Sequence, residues 1–489
     1  MKITKNMTNS DSETLSNTSL PLCVDLDGTL IQTDSLWESC LRLINQSPLM
    51  LIFLPLWLFL GKAGFKEKVS SHVKLSPASL PFNASLLKYL THQRLHSRHI
   101  VLVTAANKNI AEDIAAYLNI FDEILASDEK HNLSGKNKAN VLVDKFGEKG
   151  FVYAGNAKID LKVWQHAAAA IVVNGSENLL NKAKQITTVE EVFPTEHKTT
   201  LKVILKALRI HQWAKNMLVF AALMLSHSWS NTDALQAVLL AFFSFGFAAS
   251  SIYLINDLID LEADRKHRTK RNRPLAAGIL PIQSAIMMIP LLLIFSFALA
   301  SQVSTDFVSI LFVYLVLTTA YSLFLKPIAL LDVITLTSLY TIRIIAGAVA
   351  INVPLSYWLL AFSMFIFLSL ALIKRFSELK NLVQQGETSS LSRGYHVDDL
   401  PAVSLFGICS GYISVLVLVF YTHDLQADTL YNQPNWLWFV AVAVLYWISH
   451  MWLLAFRGQM NEDPVLFAIH DRSSYIVSLI VVVSMYLAL

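Results

Sequence analysis

Two acidic constellations carry the chemistry this sequence offers. Asp25-Leu26-Asp27-Gly28-Thr29-Leu30 closes an apolar strand and puts two carboxylates at i and i+2, just before a glycine turn. At that spacing both face the same side of a strand. Such a pair can bind Mg2+ and present one oxygen to phosphorus as a nucleophile. Alone it would often be only a turn, but other groups accompany it. Thr104 ends the strand Val101-Leu102-Val103, Lys138 opens a helix after Gly135-Lys136-Asn137, and Asp160 follows a fourth strand. Lys136 competes with Lys138 for the same role.

The second constellation, Asn256-Asp257-Leu258-Ile259-Asp260-Leu261-Glu262-Ala263-Asp264-Arg265, follows a long apolar run. Asn256, Asp260 and Asp264 recur every four residues on one helical face, with Asp257 one turn before Asp260. Carboxylates at the end of a membrane helix are costly unless a metal or counter-charges satisfy them. Two or more of them beside a divalent cation suit a diphosphate leaving group. A solvated acidic cap leaves unexplained the cations that follow at once, Arg265, Lys266, Arg268, Lys270, Arg271 and Arg273. Those can neutralise phosphates, or act as topology charges or contacts to anionic lipid.

Further polar groups mark the edges of apolar runs. His211-Gln212-Trp213-Ala214-Lys215-Asn216 precedes the first run, and Lys326 follows Tyr321-Ser322-Leu323-Phe324-Leu325. Asp332 and Arg343 stand three turns apart in an otherwise apolar segment, Lys374 and Arg375 close the sixth run, and Asp463 and Asp471-Arg472 precede the last. An ionisable group inside a membrane helix marks either function or an interhelical pair that fixes packing.

The elements that must position these groups fall into two parts. Of the 75 charged side chains, 41 lie in residues 1–200 and only 34 in the longer stretch 201–489. The second part is too sparsely charged for an ordinary water-soluble domain. Its apolar runs predict nine membrane spans, near 216–229, 234–256, 282–300, 305–325, 328–350, 355–373, 403–421, 435–455 and 473–489. Every second connection is basic and the alternate ones hold no Lys or Arg, so all basic loops share one side, which the positive-inside rule makes cytoplasmic. Residues 20–190 alternate short β-rich runs with helical ones, which predicts an α/β sheet with ligands at the strands' carboxyl ends. The apolar stretch 48–61 is too short for a routine span and reads either as a buried cap helix or as a segment lying in the membrane interface. Residues 1–19 are polar and read as a flexible tail rather than a signal peptide. The net charge of +3 suggests no nucleic-acid partner, and three cysteines without a close pair give no disulfide framework.

Over about residues 20–190 the order of motifs resembles the haloacid-dehalogenase phosphatase superfamily. The resemblance implies a Rossmann-like α/β domain over 20–195 with Asp25 as a nucleophile forming an aspartyl-phosphate and Asp27 as general acid and base. It further implies Thr104 and Lys138 on the phosphoryl oxygens, with Asp160 helping to place Mg2+. The family commonly has an acid directly after the glycine of its fourth motif, where this chain has Gly155-Asn156. Asn156 keeps an oxygen ligand without the charge, so a degenerate domain kept for docking stays open beside a working phosphatase.

Residues 201–489 resemble the UbiA superfamily of intramembrane transferases. The resemblance rests on RIHQWAKN (209–216), the run 256–278, YSLFLK (321–326) with Asp332, the run 340–348 and DPVLFAIHDRSSY (463–475). Within that superfamily the pattern looks most like the decaprenyl-phosphate phosphoribosyltransferases. Aromatic prenyltransferases typically carry a second acid-rich motif, where this chain has Lys326 and a single Asp332. The resemblance implies an all-α polytopic membrane domain in which Asn256, Asp257, Asp260 and Asp264 bind Mg2+ and a diphosphate. Lys215, Asn216, Arg268, Lys270, Arg273, Tyr321, Lys326, Asp332 and Arg343 would then hold substrate. The expected partners are 5-phosphoribosyl-1-diphosphate, a polyprenyl phosphate and membrane lipids, and the expected place is a bacterial inner membrane with both sites facing the cytoplasm. The α/β domain would remove the 5-phosphate of the product. Two other readings stay open, a UbiA-type polyprenyltransferase acting on a small acceptor and a transporter or receptor with a regulatory domain.

Overall fold

The computed structural model describes residues 20–128, 131–195, 199–386, 393–423, 430–460 and 463–489; the tail expected over 1–19 lies outside them. The chain forms two compact units. One comprises Met1–Ala207 with Leu254–Met287, and the other Leu208–Tyr253 with Met288–Leu489. The boundary expected at 195–201 is therefore incomplete, because the acidic segment and its basic run belong to the same unit as the α/β domain.

That first unit is built on β1 (Leu22–Val24), α1 (Ser35–Gln46), α2 (Leu54–Leu58), α3 (Gly61–His72), α4 (Ala84–Leu95), β2 (Ile100–Asn107), α5 (Lys108–Leu118), β3 (Glu123–Ser127) and α6 (Lys136–Phe146). It continues through β4 (Val152–Gly155), α7 (Leu161–Trp164), β5 (Ala169–Val173), α8 (Glu177–Ile186), β6 (Thr188–Phe193) and α9 (Leu201–Ala207). The sheet order is β3-β2-β1-β4-β5-β6, all neighbours parallel, with Cys23 opposite both Val101 and Tyr153. The central strands are apolar on both faces, as a sheet covered on both sides requires. Leu22, Val24, Ile100, Leu102, Val152 and Ile171 enter one core, while Cys23, Val101, Val103, Tyr153 and Val172 enter the other. Strand order reverses between β1 and β4, which opens a crevice at their carboxyl ends. Edge strands β3 and β6 lack the apolar run of the others and are largely half-buried or exposed.

The stretch 48–61 is not a buried cap helix. It forms a 3-10 turn over Pro48–Ile52 followed by α2, and among its described side chains Met50, Leu54 and Trp57 pack on the domain core. Leu49, Ile52, Phe53, Leu56, Phe59 and Leu60 are exposed.

The helices that follow are α10 (Ala221–Leu225), α11 (Thr232–Ile259), α12 (Leu261–Lys266), α13 (Ile282–Val303), α14 (Thr305–Ala320), α15 (Leu331–Ala350), α16 (Tyr357–Gln385), α17 (Leu400–Tyr421), α18 (Leu437–Phe456), α19 (Pro464–Ala468) and α20 (Arg472–Ala488). Among the described residues, seven helices are long and apolar enough to cross a membrane: 232–259, 282–303, 305–325, 331–350, 357–385, 397–421 and 434–456. This is a multi-pass membrane protein.

The expected spans at both ends of the nine depart from that count. Residues 216–229 do not form one helix; a 3-10 helix, Ile210–Phe220, gives way to the five-residue α10. The cause is polar. Trp213 donates through Nε1 to Ser250 Oγ at 3.0 Å, and Asn216 is buried against Arg343, so this segment folds inward on its side chains. The last, α20, is apolar but has only 17 residues. Small residues set the close helix contacts of this second unit. A Cβ at Gly407 would collide with Trp452, and Ser369 Oγ donates to the Gly407 carbonyl at 2.7 Å.

Candidate functional site

The carboxylate pair of the α/β domain sits at the crevice between β1 and β4. Asp25 follows β1, and its Oδ1 accepts from Lys138 Nζ at 2.7 Å; the same Nζ lies 2.9 Å from Tyr153 Oη. Lys138 is buried and reaches Asp25, whereas Lys136 is exposed. Gly28, at φ +74°, turns the chain back so that α1 begins beside Asp27. The backbone N–H of Ser35 donates to Asp27 Oδ1 at 2.8 Å and its hydroxyl to Oδ2 at 3.2 Å. Burial, with repulsion from Asp34 and then Asp25, pushes Asp27 up to about 7. A carboxyl poised there can both give and take a proton near neutrality.

Thr104 is fully buried and its hydroxyl accepts the Ala106 N–H at 2.9 Å. Asp160 braces the loop after β4. Its Oδ2 accepts the N–H groups of Asn156 and Ala157, both at 2.9 Å, and Tyr153 donates to Oδ1 at 3.2 Å. Burial and the Asp25 charge raise it to about 6 against the pull of Lys138. Asn156 lies against Gly28, where any Cβ would strike its side chain, and Asn174 Nδ2 donates to the Gly28 carbonyl at 3.0 Å. Ser35, Tyr153 and Asn174 were not foreseen as members of this site. Tyr153 and Asn174 reach it only through sheet register, which no local motif announces.

In the same unit, the acidic segment keeps its helical spacing. Asp260 N donates to the Asn256 carbonyl and Asp264 N to the Asp260 carbonyl, each at 2.8 Å. Asp257 and Asp264 are 3% and 2% exposed and converge on one guanidinium, Arg273, at 3.1 and 2.5 Å. Lys270 Nζ stands 3.9 Å from Asp264, while Arg268 is exposed. Arg265, expected among the phosphate-neutralising cations, instead makes a two-pronged ion pair with Glu38 of α1 at 2.6 and 3.0 Å, both side chains 8% exposed. Arg42 of α1 pairs with Glu262, and Asn45 Nδ2 donates to the Ile259 carbonyl at 2.7 Å. These contacts border a cavity of about 250 Å3 lined by Glu38, Arg42, Asn45, Ser76, Glu262 and Arg265.

The second unit gathers cations. Lys215 and Lys374 both reach Asp463 Oδ2, at 2.8 and 3.0 Å, and Tyr340 Oη lies 3.4 Å from Oδ1. Arg343 donates to Asn216 Oδ1 at 2.9 Å and to Tyr314 Oη at 3.1 Å, leaving the buried Asn216 Nδ2 without a partner among the described residues. Asp332 is fully buried. One oxygen takes Arg375 at 2.5 Å and the other takes Tyr395 at 2.7 Å, while Tyr321 Oη lies 3.5 Å from Arg375. Lys326 is half-buried directly after the π-helical turn Tyr321–Leu325.

Among the described residues no group of three or more His, Cys, Asp or Glu side chains is arranged to hold a metal alone. Pairs of hard oxygen donors are what the chain offers, at Asp25 and Asp27 and at Asp257 and Asp264. That donor set fits Mg2+, which is usually held by one or two carboxylates and completes its shell with waters and substrate phosphates.

A parallel α/β unit with paired carboxylates, joined to a multi-helix membrane unit with buried cations, defines a polytopic membrane protein. The UbiA prenyltransferase family model matches residues 217–470, and the chain belongs to that family of membrane transferases. The uncharacterized protein y4nM of Sinorhizobium fredii is 35% identical over 472 residues, 96% of this chain and 91% of that protein. Nodulation protein NoeC of Azorhizobium caulinodans is 35% identical over 275 residues, 55% of this chain and 88% of its own. Decaprenyl-phosphate phosphoribosyltransferase of Mycolicibacterium smegmatis is 40% identical over 197 residues, 39% of this chain and 62% of that enzyme.

Proposed function

We propose that the chain transfers 5-phosphoribose from 5-phosphoribosyl-1-diphosphate to a polyprenyl phosphate, and that its α/β domain then removes the ribose 5-phosphate. The observation that carries the reading is the buried Asp257–Asp264 pair sharing one cation at the end of a membrane-length helix. The similarity to a decaprenyl-phosphate phosphoribosyltransferase supports the choice of donor and acceptor.

In the transfer, an oxygen of the lipid phosphate bonds to the anomeric carbon as the bond from that carbon to the diphosphate oxygen breaks. Asp257 and Asp264, with Asn256 and Asp260 on the same helical stretch, would hold Mg2+, which would supply positive charge to a diphosphate leaving group. Arg273 and Lys270 offset its remaining charge, with Arg268 at the exposed rim. Lys215, Asn216, Lys326 and Arg343 of the second unit serve phosphate groups as charge and hydrogen-bond donors. The proposed setting is a bacterial inner membrane with the basic loops on the cytoplasmic side.

In the hydrolysis, an Asp25 oxygen attacks phosphorus and the bond to the ribose 5-oxygen breaks, with Asp27 protonating the departing alkoxide. Water then attacks the aspartyl-phosphate and yields its proton to Asp27, releasing phosphate. Lys138 and Thr104 face the phosphoryl oxygens. Asp25, Asp27 and Asn156 would supply oxygen ligands to Mg2+, and Asp160 holds the Asn156 loop.

Purified protein in detergent with Mg2+ should convert 5-phosphoribosyl diphosphate and polyprenyl phosphate into a phosphoribosylated lipid, read by mass. Asp264→Asn should slow that step about 100-fold or more. If polyprenyl diphosphate is consumed instead while the phosphoribosyl donor is untouched, the donor assignment is wrong; undiminished transfer by Asp264→Asn would overturn the metal assignment.

A further inference from the structure

We infer that the segment from Leu49 to Leu60 is a membrane-docking foot, through which the α/β domain rests in the headgroup region of a bilayer containing anionic lipid. The segment is apolar on two faces at once. Met50, Leu54 and Trp57 turn inward onto the domain core, while Leu49, Ile52, Phe53, Leu56, Phe59 and Leu60 recur at three- and four-residue intervals on the outer side. Leu49 is 76% and Phe59 88% exposed, in the presence of every other described residue of the chain.

Contiguous outward apolar surface of this kind marks a site of protein or membrane contact in a folded protein. Three observations select the bilayer. The unit that carries this segment also contains Leu254–Met287, hence the end of α11 and the start of α13, two helices long enough to cross a membrane. A lipid surface is therefore a fixed neighbour of this unit, not one met by diffusion. No Asp or Glu occurs between Glu38 and Glu67, so no negative charge in this stretch opposes contact with anionic headgroups. Last, a 3-10 turn and the five-residue α2, broken by Pro48 and Pro55, cannot span a bilayer but can lie along its surface with one apolar face down.

The inference does not depend on the catalytic reading, and its first test leaves catalysis aside. In the full chain carrying Cys409→Ser, where Cys23 and Cys40 are buried, Phe59→Cys accepts an environment-sensitive fluorophore. Lys182→Cys, on the exposed face of α8, serves as the reference position. In nanodiscs containing phosphatidylglycerol, lipids spin-labelled high on the acyl chain should quench the probe at 59, and aqueous iodide should quench the probe at 182. Iodide quenching at 59 equal to that at 182, without lipid quenching, would overturn the proposal. So would protection at 59 from both quenchers, which would place a second copy or another protein over the patch. A second variant, Phe53→Glu with Phe59→Glu, should lower release of phosphate from phosphoribosyl-polyprenyl phosphate at least about tenfold while sparing a water-soluble aryl phosphate. Equal loss on both substrates would overturn a docking role. If the unaltered chain hydrolyses neither, the phosphatase reading fails, and the quenching result still decides the foot.

Discussion

Lys138 and Asp25 form the most closely held contact of the crevice, and the chemistry proposed there stands on the free oxygen that Asp25 keeps. Asp25→Asn retains shape and removes the nucleophile, so phosphate release should fall about 1,000-fold or more while lipid phosphoribosylation continues. Parallel phosphate and mass assays on one preparation check both halves. Asp463 gives a prediction of another kind. Burial would raise its carboxyl, yet Lys374 and Lys215 outweigh that and hold it well below its ordinary value. A folded-state pKa below the unfolded one stabilises the fold at neutral pH, and that contribution is lost as pH falls through the depressed value. Asp463→Asn should therefore lower the thermal midpoint at neutral pH, with the gap from the unaltered chain closing as the solution is acidified. Unfolding in detergent from about pH 7 down to about pH 2 reads this directly. At this scale the sequence was most informative where chain neighbours suffice. Asp25 and Asp27, or Asn256, Asp260 and Asp264, announce themselves by spacing. Glu38 did not, because its partner is 227 residues away.

Among the elements, α1 has two tasks. Its first residue, Ser35, anchors Asp27 while Glu38 and Arg42 reach the segment that holds Asp257 and Asp264. Removing one partner of a buried pair leaves an uncompensated charge, so Glu38→Ala and Arg265→Ala should each destabilise the first unit by about 3 kcal/mol. The exchange Glu38→Arg with Arg265→Glu should recover part of that loss in a double-mutant cycle on thermal stability; strictly additive losses would deny the coupling. Hydrophobic period made most long helices legible, because a bilayer asks for length and apolarity and little else. It misled at 216–229, where Trp213 and Asn216 find buried partners and the chain breaks into a 3-10 helix and α10. Edge strands β3 and β6 escaped for the opposite reason. They have a paired neighbour on one edge only and are largely half-buried or exposed, so their sequences lack the continuous run of β5.

At the level of the whole molecule, the consequential feature is that the first unit is discontinuous in sequence. Domain boundaries read from composition follow where charge density drops, and that drop marks the start of lipid-facing helices. It carries no information about which loop returns to an earlier domain, and here residues 254–287 do. The return also imposes an order on biogenesis. A ribosome adds about 5–20 residues each second, so Arg265 emerges some 10–45 s after Glu38. Over that interval the nascent α/β domain must carry Glu38 without its counter-charge, and α11 must be synthesised before the partner arrives. Completion of the first unit is thereby tied to membrane insertion: a chain stalled before α12 should expose α1 to protease, and one released after α13 should protect it.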